Sequence, residues 1–138
     1  VQKWHSMAES ASRGELYLSF KRDFCLEGYL MKLNKQRRVQ LSKLRCSNLK
    51  FPIEAGRWLN IPREDRICTL CDMGVIGNEF HYLLVCCNPN IARIRKMHIP
   101  RYYFFNPTED KLFGLLYYCN IKVLNNVALF LQKIMKYF

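Results

Sequence analysis

Three cysteines and a histidine fall within nineteen residues in the stretch RICTLCDMGVIGNEFHYLLVCC, which runs from Arg66 to Cys87. Cys68 and Cys71 form a Cys-x2-Cys pair, His81 follows, and Cys86 lies beyond it after a gap of four residues. Such a set suits a tetrahedral zinc ion, with thiolates at about 2.3 Å and an imidazole nitrogen at about 2.0 to 2.1 Å. The short Cys-x2-Cys turn presents two sulfurs to one ion, and Gly74 and Gly77 permit the sharp bends of a knuckle. Asn78 reads as the N-cap of a helix that places His81 in its first turn. Cys86 is five positions further on, about 140° round an ideal α-helix from His81, so the helix must end or distort there. Asn88-Pro89 supplies such an end.

The competing reading is a group of buried free cysteines with a core histidine, since free Cys is commonly buried. A redox dithiol is a further alternative, but the residues before Cys68 lack a βαβ pattern. The ordered spacing favours one zinc ion. Cys87 competes with Cys86 for the role of fourth ligand. Four protein ligands leave no position for water, so the expected site is structural and not catalytic.

The rest of the chain must supply elements that hold this motif. At 138 residues, half of them hydrophobic, it is long enough for one domain with a real core. The formal net charge of +11 favours a polyanionic partner, most often RNA or DNA, and ribosome-like or membrane-surface contacts give the same signal. Seven cysteines, an odd count, with four ligand-type residues clustered and no signal peptide, point to a reducing intracellular compartment, nucleus or cytoplasm. No run of eighteen apolar residues predicts a transmembrane helix. The chain begins with Val, which reads as a piece of a longer polypeptide.

The fold expected is mainly α: a small helical domain with an inserted Cys-Cys-His-Cys zinc knuckle and a C-terminal helical hairpin. Residues 1–14 read as a flexible segment and residues 15–138 as one domain. Within it, 15–60 form a basic helical part, 61–90 the zinc motif and 91–138 the C-terminal helices. Leu16, Tyr17, Phe20, Phe24 and Leu26 recur at mostly helical spacing, ending near Gly28. Lys32 to Arg45 follows as a basic helix, with Val39, Leu41 and Leu44 on its apolar side. Between Lys32 and Arg66, ten basic residues stand against three acidic ones, which concentrates most of the chain's charge just before the motif. Lys35, Arg37, Arg38, Lys43, Arg45 and Arg57 are the candidates for contacting phosphates. A solvated face accounts for such a run equally well. Trp58 beside Arg57 suits base stacking, although packing beneath the zinc lobe is the preferred expectation.

Phe51 to Asn60 contains Pro52 and Gly56 and reads as a connector or a short broken element. A short basic helix is expected from Ile91 to His98, capped by Asn88 or Asn90 and ended by Pro100. Asn106-Pro107-Thr108-Glu109 predicts a helix capped at Asn106, apolar nearly all round and therefore buried. Asn120 predicts the cap of a last helix, with its stripe at Leu124, Val127, Ala128, Leu131, Ile134, Met135 and Phe138.

The run from Leu41 to Cys86 resembles the zinc-binding region found downstream of reverse transcriptase in non-LTR (LINE-like) retrotransposon polyproteins. The residues that carry the likeness are Ile53, Glu54, Gly56, Arg57 and Trp58, then Cys68, Cys71, Glu79, His81 and Cys86. It is strongest from Ser42 to Cys86, about a third of the chain. The resemblance implies a non-catalytic accessory module that helps a polymerase hold template RNA or target DNA, next to upstream domains of the same polyprotein. No paired aspartates of a polymerase palm, no acidic quartet of a ribonuclease H and no glycine-rich phosphate loop are visible, and no small-molecule substrate is expected. A module of a different class, structural or protein-binding with a structural zinc, remains the alternative.

Overall fold

The last long helix is the element against which the others pack. A computed structural model describes residue 16, residues 28–117 and residues 120–138 of the chain. In chain order the elements are α1 (Gly28–Lys32), α2 (Lys35–Arg45), α3 (Pro52–Trp58), a 3-10 turn (Arg63–Asp65), a π-helical turn (His81–Val85), α4 (Pro89–His98), α5 (Arg101–Phe104), α6 (Glu109–Tyr117), α7 (Ile121–Ile134) and a final 3-10 turn (Met135–Tyr137). Among the described residues the fold is mainly helical and contains no strand. None of these helices is long and apolar enough to cross a membrane. The expected flexible segment 1–14 and most of the helix expected from residue 15 lie outside the described residues. Leu16 is described, and it packs against the core.

Helix α7 starts where Asn120 accepts hydrogen bonds from the amides of Lys122, at 3.0 Å, and Val123, at 3.4 Å. Those two donors would otherwise be orphaned at the helix start. It buries Leu124, Val127, Ala128, Leu131 and Ile134 as the spacing predicts, and Phe130 as well. Two helices, α2 and α4, lie against it. The α2 N-cap is Asn34, whose side chain accepts from the Arg37 amide at 3.0 Å. Its buried face is Leu41, Leu44 and Arg45, while Val39 is turned outward. Helix α4 is capped by Asn88, which leaves Pro89 in the first turn, where a missing N–H costs nothing.

Three expectations are corrected. The α6 cap is Thr108, whose hydroxyl accepts from the Lys111 amide at 3.2 Å, and Asn106 instead adopts a left-handed φ of 49°. Helix α6 buries only Leu112, Leu115 and Leu116, and Tyr117 faces solvent. The stretch from Phe51, expected as a connector or a short broken element, forms the short unbroken helix α3, because Pro52 occupies its first turn and interrupts nothing. Between α6 and α7 the bend is 113°.

Candidate metal centre

The centre is built from a loop and a distorted helix. After the 3-10 turn, Ile67 and Ile76 face each other in an antiparallel bridge. The Cys68 amide donates to Val75 O and the Gly77 amide to Arg66 O, each at 2.9 Å. Gly74 turns the chain between them with φ +66°, a region that disfavours a side chain. Within the loop, the Leu70 amide donates to Cys68 Sγ at 3.3 Å. The backbone therefore aims the first thiol.

Asn78 Oδ1 accepts from the His81 amide at 3.0 Å, which is the N-cap that the residue types predict. From His81 the helix widens into a π turn, and the Cys86 amide reaches back to His81 O at 2.6 Å. An i to i+5 bond stacks these two residues close to one face, whereas an α-helix would hold them about 140° apart. This is the distortion that the spacing requires. It closes one turn and brings imidazole and thiol to the same point.

Cys68 Sγ lies 3.9 Å from Cys86 Sγ, and Cys71 Sγ lies 3.4 Å from His81 Nε2. All four donor atoms are within 4.8 Å of one another and can hold one metal ion. Cys68, Cys71 and Cys86 are free thiols. A disulfide would need sulfurs at about 2.0 Å. Cys68, His81 and Cys86 are buried, Cys71 is half-buried, and Cys87 is exposed outside the cluster. The choice that the sequence leaves open thus falls on Cys86. His81 Nδ1 is buried with no hydrogen-bond partner, so Nε2 is the nitrogen that meets the thiols. Burial, helped by the nearby Arg95 charge, lowers the His81 pKa and keeps the imidazole neutral. Burial also pushes the Cys86 thiol up to about 12, and the neighbouring Cys68 and Cys71 sulfurs push the same way. A cation among the sulfurs would relieve that repulsion.

Arg95 is the residue that sequence reasoning passes over. It is only 5% exposed, on α4, and its guanidinium donates to Leu83 O at 2.7 Å, Cys86 O at 2.8 Å and Tyr82 O at 2.9 Å. These are carbonyls of the π turn and its end, which an α-helical ladder would otherwise have satisfied. Burial lowers the Arg95 pKa to about 10, so it stays charged at neutral pH. Its position one turn after Ile91, on the apolar face of α4, is the signal that was there to read.

Helix α3 is docked onto the loop. The Ile53 amide donates to Gly77 O at 3.1 Å. A side chain at Gly77 would meet Pro52 at 2.7 Å, and one at Gly56 would meet Arg66 Cγ at 2.5 Å. Because Gly56 is bare, Arg66 crosses α3 and donates to Ile61 O at 2.9 Å and Ile53 O at 3.1 Å. Buried Glu54 accepts from Arg57 at 2.9 and 3.1 Å and from Trp58 Nε1 at 3.0 Å. The Arg57 guanidinium sits 4.7 Å from the centre of the Trp58 ring. The Arg57 pKa is raised, chiefly by the hydrogen bond that it donates to Glu54. Trp58 is 70% exposed, which corrects its expected place beneath the lobe. Glu79 is buried, and burial raises its pKa. Beside it a cleft of about 220 Å³ has a balanced charged lining of Glu54, Glu79 and Glu109 with Arg57, Arg63 and Arg66.

The six phosphate-contact candidates separate. Lys35 and Lys43 are exposed on α2. Arg37 donates to Asn125 on α7 at 2.7 Å, and Arg38 to Leu30 O at 3.4 Å, each half-buried. Arg45 is 4% exposed, donates to Leu116 O at 2.6 Å and lies over the Tyr29 ring, which withdraws it from any outer surface. Arg57 is clamped by Glu54. No family model matches the chain, and no curated protein and no solved structure matches it.

Proposed function

We propose that this chain is a non-catalytic, zinc-stabilised module that binds RNA or DNA, of the kind that follows reverse transcriptase in non-LTR retrotransposon polyproteins. The observation that carries the reading is the donor set: three thiols and one imidazole converging within 4.8 Å. A tetrahedral zinc ion sets sulfur–sulfur separations of about 3.8 Å and sulfur–nitrogen separations of about 3.5 Å. The values of 3.9 and 3.4 Å match these edges. Cys68, Cys71, His81 and Cys86 would hold the ion as a knuckle, and when bound it ties the loop to the π turn. Three thiolates and one zinc ion leave a formal charge of about −1, which the Arg95 guanidinium offsets.

Nucleic-acid binding draws support from the net charge of +11 and from the α2 face, where Lys35 and Lys43 are exposed beside the edges of Arg37 and Arg38. Such a face contacts phosphates and not base edges. The chain would act inside the cell, in nucleus or cytoplasm, alongside upstream domains of its polyprotein, with α6 and α7 as its C-terminal hairpin. Changing Lys35, Arg38 and Lys43 to Gln should lower the slope of log affinity against log salt by about 2 to 3. An unchanged slope removes α2 from the interface. One observation favours the second reading, a protein-interaction module: Trp58 and Leu59 are adjacent and both strongly exposed, as partner-binding anchors are.

A further inference from the structure

Between Phe80 and Thr108 the chain contains no aspartate or glutamate, yet it holds Arg93, Arg95, Lys96 and Arg101. Arg95 is turned inward to the carbonyls of the π turn. The other three are exposed. Arg93, Lys96 and Met97 are related by three and four residues and so share the outer face of α4. Immediately after Pro100, the short helix α5 and its end place two large rings in solvent, Tyr102 at 67% and Phe105 at 56% exposure.

These rings are not loose. The Arg101 guanidinium lies 5.3 Å from the centre of the Phe105 ring. Lys111 Nζ lies 4.8 Å from the centre of the Tyr102 ring and donates to Phe105 O at 2.6 Å. Tyr102 also packs edge-on against Tyr103 at 5.2 Å. Each exposed ring is thus held against a cation, and two further cations stand on the outer face of α4, the helix that precedes α5 in the chain. The nearest carboxylates along the chain, Glu109 and Asp110, sit in the first turn of α6, where the helix amides balance them.

Apolar rings left in water next to clustered positive charge are costly for a partner without negative charge to cover, because the cations would be desolvated without compensation. A single strand of nucleic acid meets both needs at once. Its unpaired bases offer flat faces for the rings, and its phosphates neutralise the cations. In a duplex the base faces are already stacked on one another and the rings gain nothing. We propose that the α4–α5 surface, with Tyr102 and Phe105 as stacking platforms and Arg93, Lys96 and Arg101 as phosphate contacts, binds single-stranded RNA or DNA. This surface is separate from the cationic face of α2 and deepens the nucleic-acid reading on which it rests.

The test is fluorescence anisotropy of the whole chain with twelve-nucleotide oligo-dT and oligo-U and with a duplex of equal length, at one fixed salt concentration. Tyr102→Ala/Phe105→Ala should bind both single strands at least tenfold more weakly, with duplex affinity changed less than twofold. Tyr102→Trp/Phe105→Trp should restore single-strand binding. Circular dichroism should be identical for all three proteins, since both side chains lie outside the core. If the alanine variant holds single strands as well as the native chain does, the platform is overturned while the α2 interface stands. Loss of binding to vesicles containing phosphatidylserine, with oligonucleotide binding intact, would overturn it in favour of a membrane surface. If the native chain binds neither nucleic acid, the broader reading falls and this surface falls with it.

Discussion

Around α7 the inward side chains are apolar and closely packed, from Leu124 through Phe130 to Ile134. Between Arg66 and Asn88 the π turn buries Tyr82, Leu83 and Leu84 in the core, but the buried set also includes two thiols, an imidazole and the Glu79 carboxyl, while Ile67, Met73 and Val75 face water. The first region is held by area removed from solvent, which is non-directional and tolerant of detail. Apart from Tyr82, Leu83 and Leu84, the second region has little apolar area of its own, and its loop from Ile67 to Asn78 buries almost none. It depends on directional links: the converging donors, the backbone bridge, the Arg95 fork and the bare glycines that let α3 approach. A metal ion would matter most where burial contributes least.

That contrast can be broken from either side. Phe130→Ala should have the largest effect on overall stability, about 3 to 5 kcal/mol read from the urea midpoint, because the ring is fully buried. It should leave metal stoichiometry untouched in the folded protein. Arg95→Met should cost about 3 kcal/mol, since three buried carbonyls lose their donor, and a chelator should strip the metal faster. An unaltered chelation rate would mean that the π turn holds its shape without the guanidinium.

The two regions also differ in how well residue types announced them. The donor set was legible because ligand spacing is a local property, and even the break at Cys86 followed from counting residues on a helix. Asn120 and Asn88 were legible as caps for the same reason. The fates of Arg45 and Arg95 were not, because burying a guanidinium depends on carbonyls that reach it from distant elements, Leu116 for one and the π turn for the other. Trp58 was misplaced because its polar partner, Glu54, lies beneath it on the same helix and holds the indole outward. Gly56 looked like a helix breaker. It is in fact the gap through which Arg66 passes, a contact that is invisible without the fold.

Smaller effects sharpen the comparison. Gly56→Ala places a methyl 2.5 Å from Arg66 Cγ and should destabilise by about 1 to 3 kcal/mol, loosening α3 from the loop. Amide exchange should quicken at Cys68 and Gly77 before it does in α7. Smallest of all is Cys87→Ser, expected within about 0.5 kcal/mol of the native chain with full metal content, because Cys87 is exposed. Its neighbour Cys86→Ser should lose the metal. Equal behaviour of the two variants would undo the assignment of the fourth donor.

The most direct test of the central claim is the metal content of the purified chain measured beside Cys68→Ser/Cys71→Ser. The account predicts about one equivalent of zinc in the native chain, lost in the double variant together with the order of the loop and the π turn. A native chain without metal, and a double variant equally well folded, would contradict it and reduce the four donors to buried side chains.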